Sequence, residues 1–200
     1  MTFNIVACGI FRPELEKILP EIKKELGEED IPVVFLSPAL HLDNNKMADE
    51  IIKQLDATKP QKTVLLYGSM CHTNLASIVN GRPVAHPQEK NCIELILSAE
   101  RKEEIDKSGN VFYLSCGWLK YWREIFQHGM EALACDRIVA LDCGLGAISD
   151  EEMLEFSDCI HAPIEIEEIS LDHFKETVLR ICKESLCGTS TPENTGNNAL

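Results

Sequence analysis

Positive charge is scarce in this chain. Nineteen Lys and Arg stand against 33 Asp and Glu, a formal net charge of −14. A chain so short of cations has no basic face to offer, so nucleic acid and an anionic membrane surface are not expected partners. Long apolar runs are also missing, and none approaches the ~20 residues a spanning helix needs. The opening MTFNIVACGIF has no basic segment ahead of its short apolar stretch, which ends at Arg12. The expectation is a protein that remains in the cytoplasm. No two cysteines stand at C-x-x-C spacing, which removes the local signatures of zinc ribbons and thioredoxin-like motifs. There is no G-x-x-x-x-G-K-[ST], and YGSMC is not G-x-S-x-G. CGLGAIS (143–149) carries G-x-G after an apolar run, but Ser149 stands where a dinucleotide fingerprint has its third glycine.

What the chain has in quantity is cysteine, nine in 200 residues. The number is odd, no export signal accompanies it, and the chain is long enough to build a core without staples. These features favour reduced thiols, used as core residues or metal ligands, over a disulfide framework.

Apolar runs and helical periods alternate along the whole chain. FNIVACG (3–9), PVVFLS (32–37), KTVLLYG (62–68), NVFYLSCG (110–117) and RIVALDCG (137–144) read as strands, with RPVAHP (82–87) and CIHAPIEI (159–166) as shorter ones. Between them lie amphipathic segments. Leu15, Ile18, Leu19, Ile22 and Leu26 share one face, and Met47, Ile51 and Leu55 recur four apart. NCIELILSAERKEEIDKSG (91–109) reads as one helix, WLKYWREIFQHGMEALA (118–134) as another, and SLDHFKETVLRICKESL (170–186) as the last. Pro20 is expected to kink or interrupt the first helix. The strands are continuous apolar runs, the pattern of strands buried on both faces. The expected architecture is therefore a single α/β domain over residues 1–187. It is one open, mostly parallel sheet with helices on both faces, a Rossmann-like three-layer sandwich of five to seven strands. Residues 188–200 have few apolar residues and no period, and are expected to be a disordered tail.

The cysteines are not scattered at random over this pattern. Cys8, Cys71, Cys116 and Cys143 each fall at or just beyond the carboxyl end of an expected strand, and Cys92 opens an expected helix. In an open parallel sheet these positions share the edge where ligands bind. Cys8, Cys71 and Cys92 have glycine or polar neighbours that break the pattern a packing residue would keep. Cys116 and Cys143 are reserve ligands. Cys135, Cys159, Cys182 and Cys187 read as packing or tail residues, since free cysteine is among the most buried types. His41, after the second strand, can reach the same edge. His86 follows a strand and His72 adjoins Cys71, but neighbours on an extended chain point apart. His128, His161 and His173 read as structural.

Ala7-Cys8-Gly9, Leu40-His41, LLYGSMC (65–71), Asn91-Cys92-Ile93 and Gly117-Trp118 together resemble a family of uncharacterised α/β proteins. Its members occur in methane-producing archaea and anaerobic bacteria, alongside corrinoid-dependent methylamine methyltransferase systems. The resemblance spans roughly residues 3–145. Two positions depart from its pattern: His72 stands for a glycine after the second cysteine, and Lys90 for a histidine two places before the third. The resemblance implies a metal-binding protein of one-carbon or methyl-transfer metabolism. Three thiolates from Cys8, Cys71 and Cys92, with His41 nearby, would leave an open position for a small one-carbon or thiol substrate. Zinc is the expected metal, and an iron–sulfur cluster with one open iron is the alternative. The rival reading is a non-catalytic accessory protein that binds a corrinoid or methyltransferase protein and uses its cysteines for packing.

Overall fold

Every strand among the described residues pairs in parallel. In the computed structural model, which describes residues 3–58, 62–126, 134–146 and 149–187, β1 (Phe3–Cys8) lies between β2 (Val33–Leu36) and β3 (Lys62–Leu66). β4 (Val84–Ala85) extends that sheet beyond β3. A second sheet carries β5 (Val111–Leu114), β6 (Arg137–Asp142) and β7 (Ile164–Glu168) in that order. The helices are α1 (Arg12–Leu26), α2 (Asn44–Ala57), α3 (Leu75–Val79), α4 (Cys92–Leu97), α5 (Ala99–Asp106), α6 (Cys116–Ile125), α7 (Asp150–Ile160) and α8 (Asp172–Cys187). Short 3-10 segments occupy Gly9–Phe11 and Pro38–Leu42.

The expected parallel α/β architecture is present, but the single sheet is two. Both edges of the first sheet are too short to accept β5. β4 has two residues between Pro83 and Pro87, and β2 has four between Pro32 and Pro38. Proline cannot donate to a ladder, so it ends pairing there. The inner faces of both sheets meet a common core instead. Phe3, Ile5 and Ala7 of β1, Val64 and Leu66 of β3, and Tyr113, Val139 and Leu141 of the second sheet pack with Leu15, Ile18 and Ile22 of α1 and Phe174, Val178 and Ile181 of α8. Alternate residues face outward. Val6, Leu65 and Tyr67 pack on α2 and α3, while Leu114, Ile138 and Ala140 pack on α6 and α7. The period-2 alternation of a strand thus feeds two cores at once, which explains why the strand sequences are apolar throughout.

Pro20 lies inside α1 without breaking it. The helix ends at Gly27 in the left-handed conformation (φ 68), with the Glu28 N–H returning to the Lys23 carbonyl. The long helix expected over 91–109 is two helices. The break is at Ser98, whose φ of 82 and ψ of 158 end α4, while its hydroxyl accepts the Arg101 N–H at 3.2 Å to start α5. A serine there carries backbone strain that glycine would not. Ser98→Ala keeps the strain and loses the cap, and is expected to cost ~1 kcal/mol. Ser98→Gly loses the same bond but frees φ, and is expected to be the more stable of the two by urea unfolding. The reverse order would contradict this account. The last strand also begins later than expected, because Cys159 and Ile160 complete α7 and His161 (φ 60) ends it. The later part of the helix expected over 118–134 and the tail from 188 lie outside the described residues. No helix among the described residues is long and apolar enough to cross a membrane.

Candidate functional site

The chain leaves β1 through α1, on the inner face, to reach β2 on one side. It leaves β3 through α3, on the outer face, to reach β4 on the other side. Connections from these two neighbouring strands therefore diverge, and a crevice opens at their carboxyl ends. Cys8 ends β1 at this switch point, and Cys71 follows β3 at the same edge.

Backbone pairing brings the third cysteine in. The segment after β3 runs beside the segment before α4. Ser69 N–H bonds to the Glu89 carbonyl at 2.8 Å and Met70 N–H to the Lys90 carbonyl at 2.9 Å. Gly68 makes the approach possible. A Cβ there would sit 2.4 Å from the Lys90 carbonyl oxygen and 2.5 Å from Asn91 Cα, closer than any side chain tolerates. Asn91 then caps α4, its Oδ1 accepting the N–H groups of Ile93 and Glu94 at 3.1 and 3.0 Å. Cys92 is the first residue of that helix.

Cys8, Cys71 and Cys92 lie close enough that the charge of one bears on the others. A charge on Cys71 raises the titration of both Cys8 and Cys92, and Cys8 also acts on Cys92. Each residue keeps some solvent contact, yet protein surrounds the sulfurs closely enough for desolvation to dominate. Burial pushes the Cys8 and Cys92 thiols up to about 12, and raises Cys71 as well. The N–H of Ile10 faces Cys8, the Trp118 indole faces Cys92, and the N–H groups of Gly68 and Cys92 face Cys71; these partly offset the penalty. Cys8 touches all three cores, so the site is at the centre of the molecule. Among the described residues no three His, Cys, Asp or Glu side chains stand together as a ready-made metal site. The three thiols are gathered without being set at ligand spacing.

Tyr67 was not visible in the sequence as a site residue. It reads as one more strand residue before Gly68. Its side chain is 2% exposed and lies within the fields of Cys8 and Cys71, and its hydroxyl faces the Cys8 thiol without forming a well-aligned hydrogen bond. A buried hydroxyl so weakly paired is costly. His41 packs edge-on against Trp118, ring centres 5.2 Å apart. Burial lowers its pKa, which keeps the imidazole neutral, the form that binds metals. His41 thus packs on the indole that faces Cys92, and is not itself brought against the thiols.

Three other histidines, His72, His86 and His173, have other work, and His128 lies outside the described residues. His72 is buried, and its Nδ1 accepts the Asn74 N–H at 3.0 Å. Its proton therefore sits on Nε2, which donates to the Asn44 carbonyl at 3.1 Å. With both nitrogens used, His72 pins α2 to the loop before α3. His86 Nδ1 lies 3.0 Å from the Pro87 carbonyl and His173 Nε2 lies 3.2 Å from the Glu94 carbonyl. Lys90, at the motif's histidine position, has its N–H held by Glu94 Oε2 at 2.8 Å. Cys182 is buried in the common core, while Cys159 and Cys187 are exposed.

Two solved structures show weak overall similarity. One is a putative hydrolase of the alpha/beta superfamily from Xanthomonas campestris, 12% identical, covering 94% of this chain and 100% of its own, with a TM-score of 0.34. The other is arginase from Bacillus subtilis, 17% identical, covering 95% and 99%, with a TM-score of 0.25. Superpositions at this level are no guide to chemistry. No curated protein matches the chain. A family model described as "Protein of unknown function (DUF1638)" matches residues 35–178, a span that holds His41, Cys71 and Cys92 of the site. On that match the chain belongs to the DUF1638 family.

Proposed function

We propose that this protein binds a metal through Cys8, Cys71 and Cys92 and acts in the one-carbon or methyl-transfer metabolism of an anaerobe, in the cytoplasm. The observation that carries the metal reading is the meeting of three buried thiols at the switch point of the first sheet. They come from positions as distant in sequence as Cys8 and Cys92, and the Tyr67 hydroxyl faces one of them, Cys8. Neutral thiols alone do not stand at ligand spacing here; a divalent cation would draw them to the ~4 Å of a tetrahedral site. The one-carbon part of the reading is supported by the resemblance carried by the same cysteines, Leu40-His41 and Gly117-Trp118.

Zinc is the metal of this proposal, with a three-cysteine iron–sulfur cluster as the alternative. When bound, the ion supplies Lewis acidity and keeps a thiol substrate ionised. The chain's own residues do the rest. Gly68 lets Cys71 approach Cys92, the Trp118 indole faces Cys92, and neutral His41 would have to move past Trp118 to serve as a fourth ligand. The Tyr67 hydroxyl, which faces Cys8, would donate a hydrogen bond to the Cys8 sulfur or to an atom of a small one-carbon or thiol substrate in the open position.

One observation favours the second reading, an accessory protein for a corrinoid or methyltransferase partner. Met70 and Leu42 are 71% and 56% exposed, and both lie on connections leaving the carboxyl ends of strands of the first sheet. Oxygen-free purification followed by metal analysis and a visible spectrum separates the readings. One zinc per chain and no colour is expected. A brown protein with iron and sulfide would transfer the site to a cluster. A metal-free protein that takes up neither zinc nor iron would leave only the accessory reading.

A further inference from the structure

A second thiol centre lies apart from the first. Cys116 opens α6 just after β5, and Cys143 follows β6, the neighbouring parallel strand in which Ala140 pairs with Leu114. Their sulfurs are 3.4 Å apart. Cys116 is buried and Cys143 partly exposed. Glu14, in the first turn of α1, is turned inward to this pair and is only 1% exposed. Its Oε1 accepts the Gly117 N–H at 3.3 Å, and its Oε2 has no hydrogen-bond partner. Its charge bears on both thiols. A buried carboxyl with one open oxygen beside two touching thiols is an arrangement for moving protons, since packing alone would favour an apolar residue.

We propose that Cys116 and Cys143 are a redox-active dithiol that reduces a disulfide co-substrate, with Glu14 as the group that takes the proton from Cys116. The Cys143 sulfur, the more accessible of the two, attacks one sulfur of the co-substrate. The co-substrate's S–S bond breaks, its first thiolate leaves and is protonated, and a mixed disulfide remains on Cys143. Glu14 then accepts the Cys116 proton. The Cys116 thiolate attacks Cys143 Sγ, expelling the second thiolate, which takes a proton in turn. Two protein thiols become one disulfide, and one disulfide becomes two thiols. The sulfurs have 3.4 Å to close to the ~2.05 Å of an S–S bond.

The electrostatics agree with these roles. A hydrogen bond from Cys116 lowers the Cys143 thiol and raises that of Cys116, so of the two the accessible sulfur ionises first. Burial raises Glu14 to about 7, against the opposing pull of its own N–H, the Gly117 N–H, the Ser115 hydroxyl and the Cys116 N–H. Together with the two thiols these are the polar groups that face it.

The test uses the full chain, reduced without oxygen and then exposed to oxidised glutathione, with acid quenching and mass mapping. A Cys116–Cys143 disulfide is expected as the first intramolecular bond to form. Cys116→Ser should trap glutathione on Cys143, and Cys143→Ser should abolish the reaction at Cys116. Glu14→Gln should slow the second step at least tenfold and remove the rise in its rate near pH 7. The proposal is overturned if the pair stays reduced in fully oxidised buffer, or if glutathione accumulates on wild-type Cys143 without displacement. An unchanged pH profile in Glu14→Gln would remove Glu14 from it. Should a variant fail to fold, judged by circular dichroism, the wild-type mapping alone decides whether the dithiol reacts.

Discussion

Alanine at Gly117 is expected to destabilise the protein by more than about 3 kcal/mol, or to prevent folding. An added Cβ would lie 1.6 Å from the Ile10 carbonyl oxygen, a backbone atom that cannot rotate away. The first turn of α6 would have to retreat from the segment after β1, dragging Cys116 and Trp118 with it. Gly68→Ala, with its clash against Lys90 and Asn91, should behave alike. The contrasting control is Gly81→Ala, where φ is +70 but nothing lies within 4 Å; that change should cost roughly 1 kcal/mol from the backbone alone. Calorimetry checks the ranking. For a chain of this size the first two substitutions should lower Tm by roughly 6–12 °C or more. A Gly117→Ala protein as stable as Gly81→Ala would mean that α6 does not press on Ile10 as described.

Serine at Cys8, Cys71 or Cys92 is expected to lower metal affinity at least ~100-fold, because a hydroxyl stays protonated where a thiolate binds. Serine at Cys187 should change nothing, and serine at Cys182 should affect stability only. The pH dependence follows from the raised thiols. With Cys8 and Cys92 at about 12 and Cys71 also raised, all three are protonated at neutral pH. Binding must then displace three protons, so affinity rises with pH, at up to about three decades per pH unit. Without metal the sign for stability is opposite. The unfolded chain ionises its thiols near the ordinary value of 9.0, while the buried ones hold their protons to about 12. Stability is therefore full below pH 9 and falls as pH rises beyond it. Metal titrations across pH 6 to 9, read with a competing chelator, check the slope. A flat affinity would mean the thiols are not the ligands.

Much of this was legible in the sequence, for physical reasons. Continuous apolar strands alternating with amphipathic helices report burial on both faces, and that fixed the parallel α/β class. The position of Cys8, Cys71 and Cys92 at strand and helix ends was enough to gather them at one edge, because parallel strands share their carboxyl end. The split into two sheets was written in Pro32, Pro38, Pro83 and Pro87, which cut the edge strands of the first sheet short. The break at Ser98 had no signal of its own, since serine rarely adopts positive φ. Glu14 looked like an ordinary acid in a helix's first turn. Its burial is a tertiary event, decided by the close seat of Gly117 on Ile10. Tyr67 was hidden by an apolar run in which a tyrosine fits equally well as packing.

The central claim is that Cys8, Cys71 and Cys92 form one metal site. X-ray absorption at the edge of whatever metal the oxygen-free full chain retains, or takes up stoichiometrically, tests it most directly. The account predicts three sulfur neighbours at ~2.3 Å, falling to two when any one of these cysteines is replaced by serine. A coordination sphere without sulfur, or no uptake of zinc or iron at all, would contradict it.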